Sequence, residues 1–199
     1  MEFEPFPKIP RLARDIVITE MIDGTNASIR IFPADYTCQL SKIIAISDDN
    51  KWAMFAGSRT RWITPDEDNY GFAAWARDNA ASLFELGEGM HFGEWWGAGI
   101  QRRYGMERKV FSLFNVGRWN EQNRPECCDV VPVLYRGEFS EAEIQTALNK
   151  LRYWGSFAAP GFKDPEGIIV YHEAAKQMFK KTLTKDEQPK GKVVEKQAA

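Results

Sequence analysis

One polar segment between two apolar runs holds the residue types that could do chemistry. Residues 20–26, Glu-Met-Ile-Asp-Gly-Thr-Asn, place carboxylates, a hydroxyl and an amide close together. Runs rich in β-branched residues at 16–18 and 27–31 flank the segment, and Gly24 permits a tight turn. The pattern predicts a strand, a polar turn and a second strand. Because Asp-Gly is also common in ordinary hairpins, a purely structural turn is the alternative.

Other polar residues stand in apolar or basic surroundings, and each also has a simpler explanation. Glu94 lies in an aromatic strand pattern over 91–96, and a buried carboxylate needs a polar partner because an unpaired buried charge is costly. The alternative is an aromatic core strand, in which the neighbouring Trp95 and Trp96 pack in the core rather than dock a nucleic-acid strand. Further candidates also have simpler explanations: a surface position for Arg59, core packing for Phe114 and, as we expect, for Phe111, an ordinary turn for Glu166, and a solvated strand surface for Lys180 and Lys181.

The composition argues against several classes of protein. The chain has 199 residues, enough for one domain with a proper core, and a net charge of −2. Nucleic-acid binders usually carry a basic excess, so any such contact must come from a local patch. No apolar run approaches the roughly 18 residues of a membrane span, and residues 1–12 lack the layout of a signal peptide. We therefore expect no membrane partner.

The cysteines and histidines indicate neither a disulfide framework nor a zinc site. Cys38 is joined by a vicinal pair, Cys127 and Cys128, and an odd count of this kind is not a disulfide pattern. Only His91 and His172 could complete a zinc site, which makes a structural zinc improbable. A reducing, cytoplasmic setting is the expectation.

The elements that would position these residues are mostly strands. The turn flanks are predicted to form an opening hairpin, and further strands are predicted over 41–47, 51–56, 91–96, 109–116, 130–136, 167–171 and 177–183. Helical spacing predicts a helix over 71–86. A capping box, Ser140 with Glu143, predicts a second helix that runs to about Trp154. Strands in succession with two inserted helices predict an α+β fold with mostly antiparallel sheets.

The polar segment resembles the Lys-x-Asp-Gly motif of polynucleotide ligases and capping enzymes. It is closest to the Glu-Lys-x-Asp/His-Gly-Thr-Asn sequence of the RNA ligase 2 and RNA-editing-ligase group, with Met21 in place of the nucleophilic lysine. Further segments resemble that family's motifs and follow in its order: Ser-Arg at 58–59, Phe-Gly-Glu-Trp-Trp-Gly at 92–97, Phe-Ser-Leu-Phe-Asn at 111–115, Glu-Gly-Ile-Ile-Val at 166–170 and Phe-Lys-Lys-Thr at 179–182. Asn115 departs from the family's usual Asp, and the two lysines are adjacent rather than spaced.

The resemblance implies a nucleotidyltransferase domain of the ATP-grasp-like type, α+β, with mostly antiparallel sheets flanked by helices. We expect this domain over 1–184, followed by a polar tail over 185–199 and no appended OB domain. The implied cofactors are ATP and Mg²⁺ or Mn²⁺, and the implied partners are ATP and the ends of nicked or broken RNA. The chain is expected to act as a monomer.

The family's functional residues can be carried onto this sequence position by position. The resemblance implies the following nucleotide-binding residues: Glu20, Ile22, Gly24, Asn26, Arg59, Glu94, Phe114, Glu166 and Lys180. The implied metal site consists of Asp23, Glu94 and Glu166, largely through water. The implied catalytic positions are Met21, Lys180 and Lys181, and the sequence leaves open which lysine reaches the α-phosphate. Arg102 and Arg103 are candidate contacts to the phosphates of a strand end.

The implied reaction is the ATP-dependent sealing of a 3′-OH and a 5′-phosphate through lysyl-AMP and RNA-adenylate intermediates. Met21 cannot take the first step, because a thioether has no proton to lose and would form an unstable sulfonium. Met is close to Lys in length, so the hypothesis is an engineered Lys→Met change that blocks adenylylation. The alternatives are a natural pseudo-ligase that binds ATP or RNA ends, and a DNA ligase or capping-type nucleotidyltransferase.

Overall fold

The fold was analysed in a computed structural model that describes residues 2–34 and 40–184. Cys38 and the predicted tail over 185–199 lie outside the described residues. The strands, in chain order, are β1 (Asp15–Met21), β2 (Thr25–Pro33), β3 (Ala45–Ile46), β4 (Trp52–Ser58), β5 (Trp62–Ile63), β6 (Gly89–Gly97), β7 (Lys109–Leu113), β8 (Asp129–Val130), β9 (Val133–Glu138), β10 (Gly167–His172) and β11 (Gln177–Thr182). The α-helices are α1 (Phe72–Asp78), α2 (Ala80–Leu83) and α3 (Glu141–Trp154), and short 3-10 helices cover Leu40–Lys42 and Phe84–Leu86.

The strands of the described residues form two sheets. The smaller sheet has the order β11-β10-β1-β9, and the larger has the order β3-β4-β2-β6-β7-β8 with β5 paired to β4. All pairs are antiparallel except β7 with β8. The predicted α+β class with mostly antiparallel sheets is confirmed.

The prediction that the first two strands form a hairpin is wrong. β1 pairs with β10 and β9, whereas β2 pairs with β4 and β6, so the strands belong to different sheets. The reason is burial: residues 16–20 of β1 are all buried, which requires neighbours on both edges and cover on both faces. The polar segment therefore crosses from one sheet to the other.

Two further elements differ from their predictions. In the strand predicted over 41–47, residues 41 and 42 belong to a 3-10 turn and only residues 45 and 46 form a strand, β3, which pairs with β4. The helix predicted over 71–86 is interrupted at Asn79, whose side-chain amide donates to the Trp75 carbonyl at 2.8 Å. This side chain competes with the backbone for the helical hydrogen bonds, which is why asparagine is a weak helix former.

The third helix forms as its local sequence predicts. The Ser140 hydroxyl accepts from the Glu143 N–H at 3.4 Å, and Gly155 ends the helix with a φ of +87°. Among the described residues no helix is both long and apolar enough to span a membrane.

Of the four apolar clusters found among the described residues, three surround the elements that carry the polar segment. One lies between α1, α2 and one face of the larger sheet and includes Trp95 and Phe111. A second joins α3 to the smaller sheet through Ile18, Leu148 and Ile168. A third cluster, built around Ile22, Trp96, Tyr104, Val110, Val131 and Ala159, lies beside the polar segment where the sheets meet. Trp95 and Trp96 are 2% and 1% exposed, so both pack in the core and neither can dock a strand.

Candidate active site

The polar segment predicted to carry the chemistry lies at the junction of the two sheets. Met21 ends β1 and Thr25 begins β2, so only residues 22–24 make the crossing. Met21 is half-buried, and Ile22 belongs to the apolar cluster between the sheets. Side chains from both sheets can therefore approach this one loop.

Three hydrogen bonds from separate parts of the chain fix the crossing loop. The Asp23 N–H donates to the Tyr104 hydroxyl at 2.8 Å, and the Gly24 N–H donates to the Glu94 carboxylate at 3.1 Å. The Asn69 amide donates to the Thr25 hydroxyl at 3.1 Å. The loop is thus held rigidly in place by its own surroundings.

Gly24 is required at this point for space. A Cβ atom at Gly24 would lie 2.5 Å from the Trp95 carbonyl oxygen and 2.6 Å from the Trp96 Cβ, both on β6. Neither neighbour is a flexible side-chain end, so any larger residue would displace backbone. The glycine lets the crossing loop lie directly against β6, which carries Glu94.

The Glu94 carboxyl is the most perturbed acid of the site. Burial raises its pKa to about 7, and the charges of Glu166 and Asp23 add to the shift, while the Gly24 N–H and Arg59 oppose it. These electrostatic effects mean that four residues predicted from separate motifs, namely Asp23, Arg59, Glu94 and Glu166, converge on one place. Asn26 joins them, since it lies directly opposite Glu94 in the β2–β6 pairing.

The carboxylates do not form a preformed metal cage. Among the described residues, no group of three or more His, Cys, Asp or Glu side chains is arranged to hold a metal ion. The charges of Asp23 and Glu166 nevertheless disfavour ionisation of Glu94, and a nearby cation would relieve that repulsion. The donor set therefore fits a hydrated cation better than one bound directly by three carboxylates.

Arg102 binds the Asp23 carboxylate instead of remaining open to a phosphate. Its Nε lies 3.0 Å from Asp23 Oδ2, and its Nη1 lies 2.7 Å from Asp164 Oδ2. The predicted phosphate contact at Arg102 is thus already shared between two carboxylates. Arg102 links the crossing loop to the segment that leads into β10.

The loop between β6 and β7 supplies contacts that sequence reasoning missed. Gln101, Arg103 and Tyr104 have φ values of +42°, +59° and +51°, in a left-handed region that side chains other than glycine rarely adopt. This backbone brings Arg102 to the side-chain carboxylate of Asp23 and Tyr104 to its backbone N–H. Burial raises the pKa of the Tyr104 hydroxyl, so it remains neutral as the acceptor for the Asp23 N–H.

The strand register places Lys180 and Lys181 on opposite faces of the smaller sheet, a distinction that the sequence alone leaves open. Lys180 lies opposite Ile169, which lies opposite Thr19, and Lys181 lies in the corresponding row with Ile168 and Glu20. Because side chains alternate along a strand, Lys180 shares the face of Thr19 and Met21. Lys181 shares the face of Ile168, which packs against α3.

Glu20 is placed with its carboxylate against the segment that follows α3. One oxygen accepts from the Ser156 hydroxyl at 2.6 Å, and the other accepts from the Phe157 and Ala158 N–H groups at 2.8 and 3.0 Å. Burial raises the pKa of Glu20, and these hydrogen bonds work against the shift. These contacts tie the end of β1 to the segment that follows α3. The role of Glu20 at a nucleotide stays a prediction.

The two phenylalanines of the 111–115 segment take different places. Phe111 is fully buried in the core beneath α1, as predicted for it. Phe114 is half-buried and packs against the cluster that contains Ile22 and Ala159. Phe114 therefore borders the same junction as the crossing loop.

The chain matches a protein-family model and several solved structures. A family model described as RNA ligase matches residues 14–185. No curated protein matches the chain at a significant level.

Solved structures of the Naegleria gruberi RNA ligase share the fold. An arginine-to-alanine mutant with ATP and Mn matches with a TM-score of 0.56 and 15% identity, over 87% of this chain and 51% of that chain. A lysine-to-methionine mutant with AMP and Mn gives a TM-score of 0.54 and 18% identity, over 86% of this chain and 50% of that chain. The ligase with PPi gives a TM-score of 0.54 and 16% identity, over 85% of this chain and 50% of that chain. The chain thus spans about half the length of these structures, and its α+β architecture is theirs.

Replacing Tyr104 by Phe should loosen the crossing loop. The Asp23 N–H would lose its acceptor, so we expect Tyr104→Phe to lower the free energy of unfolding by about 1–2 kcal/mol and to speed exchange of the Asp23 amide proton. Amide exchange followed by NMR measures the local effect, with the exposed Tyr171→Phe as matched control. An Asp23 amide that exchanges equally fast in both variants would contradict this role.

Replacing Glu94 by Gln should change how stability depends on pH. Because the fold raises the pKa of the Glu94 carboxyl, the favourable contribution of this group to the free energy of unfolding is complete below the ordinary glutamate pKa of 4.5. That contribution is lost as the pH rises through the raised pKa of about 7. Glu94→Gln keeps an acceptor for Gly24 and has no charge. Without divalent cations it should match the parent near pH 4 and exceed its unfolding free energy above pH 7 by about 1–3 kcal/mol.

Denaturant unfolding at low and high pH tests this expectation, and the exposed Glu107→Gln serves as the matched control. A stability difference between Glu94→Gln and the parent that stays constant across this range would contradict the raised pKa.

Proposed function

This chain belongs to the RNA ligase family, and on that premise we propose that its fold serves the ATP-dependent joining of RNA 3′-OH and 5′-phosphate ends. The observation that carries the proposal is that Asp23, Arg59 and Glu166 lie near enough to Glu94 for their charges to act on its carboxyl, which itself accepts from the Gly24 N–H of the loop that follows Met21. These residues come from four separate segments, and a purely structural turn would have no need of so many charges at one sheet junction.

The nucleotide would lie between the two sheets, with its parts matched to nearby groups. Phe114 offers an aromatic face beside Ile22 for adenine. Glu94, Asn26 and Arg59 offer polar groups for the ribose. Lys180 lies on the Met21 face of the smaller sheet, so we assign the α-phosphate to Lys180 rather than to Lys181.

A divalent cation fits the same place. Asp23, Glu94 and Glu166 would hold a hydrated Mg²⁺ or Mn²⁺ largely through water, since carboxylate oxygens suit these ions and a cation would relieve the repulsion that raises the pKa of Glu94. When bound, the ion would offset the charge of the triphosphate. With the cation present, Glu94 would ionise more easily than its raised pKa otherwise allows.

The proposed reaction has three transfers when a lysine occupies position 21. The lysine amine attacks the α-phosphorus of ATP, and pyrophosphate leaves. The AMP then passes to the RNA 5′-phosphate, and the 3′-OH attacks that phosphate and releases AMP. The amine must be neutral to attack, although Lys ordinarily titrates near 10.4. The positive charge of Lys180 on the same face would favour the neutral form.

Met21 stops the reaction before its first step. The thioether matches lysine in shape but lacks the amine, so the chain would bind ATP without forming an adduct. We propose that Met21 is an engineered replacement, because the groups around it remain suited to a nucleotide. The alternative is a natural pseudo-ligase that binds ATP or RNA ends without chemistry.

Restoring the amine tests the proposal. Met21→Lys incubated with ATP and Mg²⁺ should acquire one covalent AMP by intact-protein mass spectrometry, and peptide mapping should locate that AMP at residue 21. The matched control is Met90→Lys, which adds a lysine at an exposed methionine on the larger sheet and should acquire none. Absence of an adduct in Met21→Lys would contradict the assignment of position 21 as the nucleophile.

The Met21→Lys variant also separates the possible substrates. Sealing of nicked RNA would support an RNA ligase, sealing of nicked DNA would favour a DNA ligase, and transfer to a diphosphate RNA end would favour a capping-type enzyme. A pseudo-ligase would bind ATP in both forms and join nothing.

A further inference from the structure

An exposed group of aromatic side chains lies where α3 ends. Tyr153, Trp154 and Phe157 are 75%, 63% and 44% exposed. The chain has seven tryptophans, and Trp154 is the one that is exposed, since the other six are buried or half-buried. Large aromatic side chains left in water at one place commonly mark a binding surface.

The rings border a shallow groove rather than a flat patch. Val133, Leu134, Lys150, Trp154 and Phe157 line a depression of about 300 Å³. This volume falls at the lower end of what a small ligand occupies, and it is open along one side. A flat ring laid against Trp154 would fit such a depression.

Two lysines lie beside the groove, in a part of the sequence without acidic residues. No Asp or Glu occurs between residues 144 and 163, the longest acid-free stretch of a chain whose net charge is −2. Lys150, Arg152 and Lys163 lie in that stretch. The ammonium groups of Lys150 and Lys163 donate to the Leu134 and Trp154 carbonyls at 3.3 and 3.0 Å, which holds them beside the groove. An ammonium has three donors, so each lysine can also contact an anion.

This surface adjoins the end of β1 that carries Met21. The Glu20 N–H donates to the Pro132 carbonyl at 2.9 Å, directly before the groove residue Val133. The Phe157 N–H donates to the Glu20 carboxylate at 2.8 Å. Both sides of the groove are therefore hydrogen-bonded to the residue that precedes Met21.

We propose that Lys150, Tyr153, Trp154, Phe157 and Lys163 form a docking surface for single-stranded RNA, here called the Trp154 surface. A base stacks on Trp154, and the two lysines contact the flanking phosphates. Aromatic faces interleaved with cations are the means by which proteins hold single strands without reading sequence. The choice of RNA rests on the proposed function, and the surface would lead a strand end toward position 21.

The test measures RNA binding by the chain as it stands, with Met21 and without ATP. The probe is a short single-stranded RNA that carries a 5′-phosphate and a fluorescent label at the 3′ end. It lacks adenine so that it does not enter an adenine site. Fluorescence anisotropy gives the Kd for the parent, Trp154→Ala, Trp154→Phe and the matched control Phe6→Ala, whose ring is 84% exposed in the N-terminal segment.

We expect Trp154→Ala to raise the Kd about tenfold, since stacking on an aromatic side chain is commonly worth that much per base. Trp154→Phe should recover most of the affinity, and Phe6→Ala should leave it unchanged. Replacing Lys150 and Lys163 by Gln should weaken binding further and flatten its dependence on salt. Equal affinity of Trp154→Ala and the parent would overturn the proposal and leave the rings to a protein partner.

The outcomes for this surface and for the proposed function are separable. A covalent AMP on Met21→Lys with unchanged RNA affinity in Trp154→Ala would retain the proposed function and overturn the Trp154 surface. Weakened RNA binding in Trp154→Ala without any AMP adduct would do the reverse. Equal losses in Trp154→Ala and Trp154→Phe would overturn stacking as the basis of the contact.

Discussion

The crossing loop between the two sheets presses its backbone against β6, and the rest of the site depends on that contact. Gly24 lies so close to the Trp95 carbonyl and the Trp96 Cβ that no other residue fits there. The same approach lets the Gly24 N–H reach Glu94. Since β1 and β2 belong to different sheets, this contact holds the loop that joins the two sheets against the strand that carries Glu94.

The second constraint is the charge of the carboxylates at the junction, whose mutual repulsion opposes their burial. Glu94 is half-buried near Asp23 and Glu166, an arrangement that raises its pKa and makes the free site costly to ionise. Arg102 neutralises part of the charge through Asp23, and Tyr104 holds the loop backbone in place. The remaining repulsion among the carboxylates is the physical basis for expecting a cation here, and a negatively charged phosphate would be accommodated beside them only together with that cation.

Residue types and motif order select Asp23, Arg59, Glu94 and Glu166 from the sequence, and the fold places the other three near Glu94, while their roles stay predictions. The pairing partners of strands do not follow from the sequence in this way, because an apolar run predicts a strand without indicating which strand lies beside it. For this reason the prediction of an opening hairpin is wrong. The cap of α3 was predictable because Ser140 and Glu143 act within one turn.

The contacts that sequence reasoning missed depend on tertiary geometry. Tyr104 reaches Asp23 through a loop in which three residues other than glycine take left-handed conformations, and no local pattern signals this. The distinction between Lys180 and Lys181 rests on the register of β10 and β11, which two adjacent lysines cannot reveal. Trp154 lies at helical spacing from the buried Ala147 and Leu151, so no local pattern indicates that its side chain is exposed.

The most direct test of the central claim is a crystal structure of this chain, with Met21, grown with ATP and Mg²⁺. The account predicts an uncleaved triphosphate in the junction, its α-phosphate beside the Met21 thioether and its adenine against Phe114. Electron density for ATP elsewhere, or for AMP joined covalently to another side chain such as Lys180, would contradict it.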